Sequence, residues 1–276
     1  MAIQMRDLMM GALAELRIHP VEKWIRASVG DAVLVDTRRA ALVWEPRRVV
    51  PSYAVPRDDV AGELVPFAGD PGGERPVQMG RDGLLVLDPR TPFSVHTCPG
   101  ESLTIRTAAG DLTAAAFSPG DQALTDYVVL DWNAFSQWFE EEAPVMGHPH
   151  DPFDRIDCLP SSRRITLVVD GRVVAETERA TLLFETPLPV RYYIPRADVD
   201  MDLLRPSTLR TLCAYKGTAS YWSVQVDDRL LPNLAWTYEK PLHDALPVTG
   251  LIAFFTERLD LMLDGVRAER PVTPWS

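Results

Sequence analysis

The strongest constraint on this chain is an internal repeat. The stretch VLVDTRRAALVWEPRRVVPSYAVPRDDV at 33–60 can be laid on VVAETERATLLFETPLPVRYYIPRADV at 173–199. The register is 140 residues up to Glu45 and Glu185 and 139 from Tyr53 and Tyr192, so one residue has been lost in the loop between them. Both stretches hold an apolar run, Arg39-Ala40 or Arg179-Ala180, the glutamate, the tyrosine, and Pro56-Arg57 or Pro195-Arg196 followed by an aspartate and a valine. A unit this long written twice predicts two related domains, not a solenoid of short stacked repeats. The expected division is a helical extension over 1–20, a first, degenerate repeat domain over 21–142, a linker over 143–160 and a second repeat domain over 161–276.

Within each repeat the pattern reads as β. Two alternating, β-branched runs in 164–185 flank Asp170-Gly171, a hairpin signal, and 220–231 does the same around Asp227-Asp228. Most of the 24 prolines fall between such runs, where a missing N–H does no harm. The spacing of Trp132, Phe135 and Phe139 behind Asp131 predicts a helix over 131–142, and 242–250 predicts a short one limited by Pro247. The proline-punctuated segment 143–163 reads as extended linker.

Composition narrows the partners. A net charge of -11 argues against nucleic acid, which requires a basic surface. Three scattered cysteines, Cys98, Cys158 and Cys213, form no disulfide framework and favour a reducing compartment. Arg6, Asp7 and Glu15 interrupt the apolar start, which therefore does not read as a signal peptide, and no apolar run reaches membrane-spanning length. The expectation is a cytoplasmic chain with no membrane partner.

The second repeat, with SSRRITLVVDGRVVAETERATLLFETPLPVRYYIPRADV, CAYKGTASYWSV, LAWTYEKPL and GLIAFFTERLDLMLDG, resembles the bacterial domain of unknown function 427 family, sometimes labelled nucleotidyltransferase-like. The first repeat resembles it only in its front half: its back half keeps a cysteine and a glycine but neither the tyrosine–lysine pair nor the AWxY stretch. The resemblance implies a mainly β fold, with two related small antiparallel β domains similar to tent-like folds and a few short helices. Some such folds carry zinc, but this chain has no paired CxxC, so no metal of that kind is expected.

The candidate site lies in what only the second repeat retains: Tyr215, Lys216, Tyr221, Trp222, Trp236 and Tyr238. A lysine held against aromatic faces gains a cation–π interaction, and desolvation lowers its pKa toward a nucleophilic amine. Tyr215, Lys216 and Trp222 are expected to form the mouth of a pocket for an anionic or ring-bearing small molecule. Glu185 and Arg196 are expected to pair with each other, as a loop-fixing contact or a substrate-facing one. Three functions follow: a small-molecule-binding domain, an enzyme using Lys216 as nucleophile or phosphate-binding cation with Glu185 as acid or base, or a structural module. His148 and His150, two residues apart in extended chain, point to opposite sides and make a poor metal site. Nothing in the sequence names a cofactor or an oligomeric state.

Overall fold

The computed structural model describes residues 2–3, 8, 11–70, 72–186 and 188–276. It is mainly β, with several small antiparallel sheets. In chain order the strands are β1 (Arg17–Pro20), β2 (Ile25–Val29), β3 (Ala32–Thr37), β4 (Ala41–Trp44), β5 (Ser52–Pro56), β6 (Glu63–Pro66), β7 (Pro76–Met79), β8 (Leu84–Leu87), β9 (Gly100–Thr107), β10 (Gly110–Pro119), β11 (Tyr127–Leu130), β12 (Gln137–Glu140) and β13 (Ala143–Val145). There follow β14 (Ile156–Ser161), β15 (Ile165–Val169), β16 (Arg172–Thr177), β17 (Ala180–Glu185), β18 (Arg191–Tyr193), β19 (Leu204–Cys213), β20 (Gly217–Val226), β21 (Arg229–Thr237), β22 (Ile252–Phe254), β23 (Asp260–Leu263) and β24 (Val266–Arg267). The chain divides into two compact units, Met1–Val77 with Leu85–Asp151, and Gln78–Leu84 with Pro152–Ser276.

In the first unit a large sheet runs β1-β4-β5-β11-β10-β9-β6 and a small one β13-β12-β2-β3. In the second, β14-β17-β18 continues through a single antiparallel bridge, Ile194 to Ile252, into β22-β21-β20-β19, and the small sheet reads β24-β23-β15-β16. Strand for strand the two orders are the same. Local irregularities agree as well. Register slips fall between Ala27 and Ser28 and between Leu167 and Val168, and bridges join Val35 to Val60 and Ala175 to Val199.

Each unit buries its core between its two sheets. In the first, Ile25, Val35 and Trp138 of the small sheet pack with Leu42, Val55, Ile105 and Val128 of the large one. In the second, Ile165, Leu167 and Val174 meet Leu183, Ile194, Val224 and Phe254. Alternation along each strand supplies these inward residues, since neighbours in a strand point to opposite faces. The β15–β16 hairpin turns at Asp170 and Gly171, with φ of 49° and 81°, the left-handed region that Asp tolerates and Gly adopts freely. A short 3-10 helix, Arg57–Asp59 or Arg196–Asp198, follows β5 or the strand region at Tyr193. Its aspartate accepts from the threonine that ends β3 or β16: Thr37 to Asp59 and Thr177 to Asp198, both at 2.6 Å.

Three expectations are corrected. The helix over 131–142 is a single 3-10 turn, Trp132–Ala134, followed by β12. Asp131 caps that turn by accepting from the Asn133 N–H at 3.0 Å, but Phe135 is already extended and β12 pairs with both β2 and β13. The buried residues there, Trp138 and Glu140, follow a period of two, and tertiary pairing overrides the helical stripe. Segment 143–160 is not a free linker, because its ends are β13 and part of β14. The helical extension over 1–20 falls partly outside the described residues; within them Leu8 and Gly11 are helical, but the helix ends there, and a turn at 12–14 and then β1 follow. The short helix near 242–250 is present as the 3-10 segment His243–Val248, with Pro247 inside it. Among the described residues no helix is long and apolar enough to cross a membrane.

Candidate functional site

Lys216 sits in the turn between β19 and β20, and Gly217 follows with φ of 89°, a conformation that lets the chain reverse tightly. The Leu242 N–H donates to the Lys216 carbonyl at 3.2 Å, fixing the turn against the chain that follows β21. The lysine side chain therefore points inward. Its ammonium donates to the Glu185 carboxylate at the end of β17, and the two side chains are only 9% and 8% exposed.

The expected Glu185–Arg196 pair is not formed. Glu185 is taken by Lys216, and the Arg196 guanidinium instead lies over the Trp222 ring, 5.1 Å from its centroid. The reason is directional: Glu185 ends a strand whose next neighbour in the turn region is a buried cation, and a buried carboxylate takes the partner that shares its burial.

Electrostatics follow from this pairing. Burial alone would lower the Lys216 pKa, but the facing Glu185 carboxylate outweighs it, with smaller help from Cys213 and Tyr193, and the ammonium is held above the usual lysine range. Of the two states that the sequence left open for Lys216, cation and nucleophilic amine, this pairing favours the cation. Burial pushes the Tyr193 and Tyr238 phenols up as well, so both stay protonated.

Tyr193 lies near the pair, and a chain of aromatic contacts runs outward from it. The Trp236 indole N–H donates to the Tyr193 hydroxyl at 3.1 Å, with the rings edge to face. Phe255 packs on Trp236 at 4.5 Å and stacks with Tyr221, while Trp275 lies 6.1 Å from Phe255 and is 40% exposed. The Tyr221 hydroxyl is 3.0 Å from that of Thr211. Beneath these rings Arg191 grips Glu257 through two hydrogen bonds of 2.8 and 2.7 Å, both side chains almost fully buried, and Thr273 donates to the same carboxylate.

The expected site residues thus fall into two groups. Lys216, Glu185, Tyr221, Trp236 and Tyr238 belong to one contiguous end of the large sheet, with Tyr221 opposite Trp236 in the β20–β21 register. Trp222, one residue on, turns to the other face with Arg196, and its indole N–H is buried with no hydrogen-bond partner among the described residues. Tyr215 is buried. Tyr215 and Lys216 precede β20 and Trp222 lies within it, with Lys216 engaged by Glu185 and Trp222 by Arg196. Tyr193, Arg191 and Glu257 were missed by sequence reasoning. Arg191 carried a signal, being an arginine at the start of an apolar strand, but its partner lies 66 positions away.

The first unit holds an acid at the matching strand end. Glu45 is buried; it faces His96 Nδ1 at 3.0 Å and accepts from the Thr97 N–H at 2.8 Å, with the Cys98 thiol beside it. Burial and Glu45 push that thiol up to about 12, which keeps it protonated. His150 is drawn to Glu140 at 3.1 Å, not toward His148.

No curated protein matches the chain. Residues 157–265 match the model of a family described as a domain of unknown function, DUF427.

Proposed function

We propose that this DUF427-bearing chain is a small-molecule-binding protein whose second unit takes a planar, ring-bearing metabolite at the Lys216 end of its large sheet. One observation carries the reading: Lys216 is nearly buried yet held protonated by Glu185. A charged ammonium donates hydrogen bonds but cannot attack a carbonyl, which favours a binder over a lysine-based enzyme. Glu185 neutralises the charge, so the preferred ligand is a ring that both donates and accepts hydrogen bonds, in place of a bare anion. Buried ion pairs add little stability over apolar residues of the same volume, and this too supports a role in recognition. The partly exposed rings of Tyr221 and Trp275 offer the way in, toward Phe255 and Trp236.

The arrangement at Glu45 favours a second reading, that the charged pair holds the strand end in place. There a buried acid is satisfied by a backbone N–H and by His96, whose ring packs on Phe117 and Phe93. The repeat belongs to the same proposal: the shared strand order supports two copies of one domain, of which the second keeps the recognition cluster.

Adenine and uracil titrated into the intact protein, with binding read by calorimetry, test the proposal. Saturable binding of at least one probe, weakened tenfold or more in both Lys216→Met and the surface variant Tyr221→Ala, is the expected result. Absence of binding by either probe, or binding unchanged in both variants, would overturn it in favour of the fold-holding role. Turnover lost with binding retained in Lys216→Met would instead restore the enzyme.

A further inference from the structure

The first unit has a hollow of about 570 Å³, a size that takes a small metabolite. Ile18 and Ala41 are among its apolar lining residues, and Trp24, Tyr127, Arg38 and Arg39 line it as well. The second unit has a hollow of about 390 Å³ in the corresponding place. Residues 20–22 and 38–40 line the one, and 160–162 and 178–180 the other, an offset of 140 positions from Pro20 to Pro160. The hollow therefore comes with the fold: it opens where β1 or β14 ends beside the turn into β4 or β17.

The two hollows differ in charge at two matched positions. At one, Glu22 of the first hollow is Ser162 in the second. At the other, Arg38 stands in the first where Glu178 stands in the second. Both keep the neighbouring arginine on an aspartate: Arg39 on Asp59 at 2.7 Å and Arg179 on Asp198 at 2.6 Å. Lys23 is engaged by Glu140. Arg38 has no carboxylate partner among the described residues, and its guanidinium lies 4.7 Å from the centroid of the Trp24 ring. That ring is held in place, because its indole N–H donates to Asp36 at 2.7 Å and Arg26 packs on it at 3.9 Å. Of the two glutamates at the rim, Glu141 already accepts from the Trp24 backbone N–H. An aromatic ring held in place, a guanidinium over it with no carboxylate partner among the described residues and several apolar lining residues together suit a planar ring with one negative group.

We infer that the first unit's hollow is a binding site for a small molecule bearing a planar ring and one anionic group, phosphate or carboxylate. Arg38 pairs with the anion, and Trp24 and Tyr127 flank the ring. The second unit's hollow, with Glu178 in place of Arg38, rejects the same ligand. This site belongs to a different unit from the Lys216 cluster and differs from it in the charge of what it takes.

The test uses the intact protein and follows the Trp24 indole N–H by NMR, assigned with Trp24→Phe. Adenosine monophosphate and benzoate are titrated as the two sources of anion, with adenosine as the uncharged control. A saturable shift of the Trp24 signal with either anion, and at least tenfold weaker response to adenosine, is expected; which anion acts identifies the source. Arg38→Glu should weaken binding tenfold or more with an unchanged melting midpoint, Arg38→Lys less so, and Lys216→Met not at all. No saturable shift with either anion, equal response to adenosine, or binding that survives Arg38→Glu would overturn the inference.

Discussion

Lys216 and Glu185 lie 31 residues apart in sequence and bury their opposite charges against each other, with less than a tenth of either side chain exposed. Removing one partner leaves the other desolvated and alone. Glu185→Gln and Lys216→Met are each expected to cost about 3–5 kcal/mol in chemical denaturation of the second unit. The double variant should cost less than the sum of the two. Because the folded-state pKa of Lys216 is raised, its contribution is complete below the ordinary lysine range and is lost only as pH climbs above it. Additive losses, or a stability that declines between pH 6 and 9 through this pair, would contradict the assignment.

Glu140 titrates at the other end of the scale. Burial would raise its pKa, but hydrogen bonds from His150, Lys23 and Tyr53 outweigh it and hold the carboxyl at about 2. A depressed pKa stabilises the fold above the ordinary carboxylate range, and the benefit disappears as pH falls toward about 2. Urea denaturation of the first unit should lose on the order of 2 kcal/mol over that window. Glu140→Gln should flatten the acid limb, and an unaltered limb in that variant would rule the carboxylate out as its source.

Arg191 contacts Glu257 through two nitrogens, a fork that lysine cannot supply. Arg191→Lys is expected to destabilise the second unit by about 2 kcal/mol or more, since part of a buried carboxylate goes unpaired. Trp275 emission should shift to the red as its cation and the Thr273 anchor loosen. Full stability with lysine at this position would show that one hydrogen bond is enough.

The Thr–Asp–Arg constellation occurs in both units with nearly the same distances. Asp59→Ala and Asp198→Ala should therefore each cost about 1–2 kcal/mol, and each should lower only the transition of its own unit. Calorimetry that resolves the two transitions checks this. A single transition lowered equally by either change would mean that the units unfold as one.

Much of this architecture was legible in the chain. The Asp170-Gly171 turn announced its hairpin, and the switch of offset from 140 to 139 reappears in the paired bridges at Val60 and Val199. The helix misread at 131–142 shows the limit. Trp132, Phe135 and Phe139 fit a helical spacing, yet Trp138 and Glu140 fit a strand, and only the presence of β2 alongside decides between them. At the site, the residue types were readable but their partners were not. Glu185 had Arg196 near in sequence, whereas the turn at Gly217 delivers Lys216 from farther away. The hollow at Trp24 was illegible for the same reason, since residues 20–22 meet 38–40 only once β1 lies beside β4.

The small sheets tie the beginning of each unit to its end: β2 pairs with β12, and β15 with β23. On a ribosome, then, Ile25 emerges long before the Glu140 that will lie beside it, and Ile165 waits for Leu263. Contacts so distant along the chain slow closure, and until they form the inner faces of the large sheets stay wet and adhesive. The nascent first unit is most open to wrong pairing while the long passage from β6 to β9 is being synthesised, so chaperone dependence should rise with any pause there.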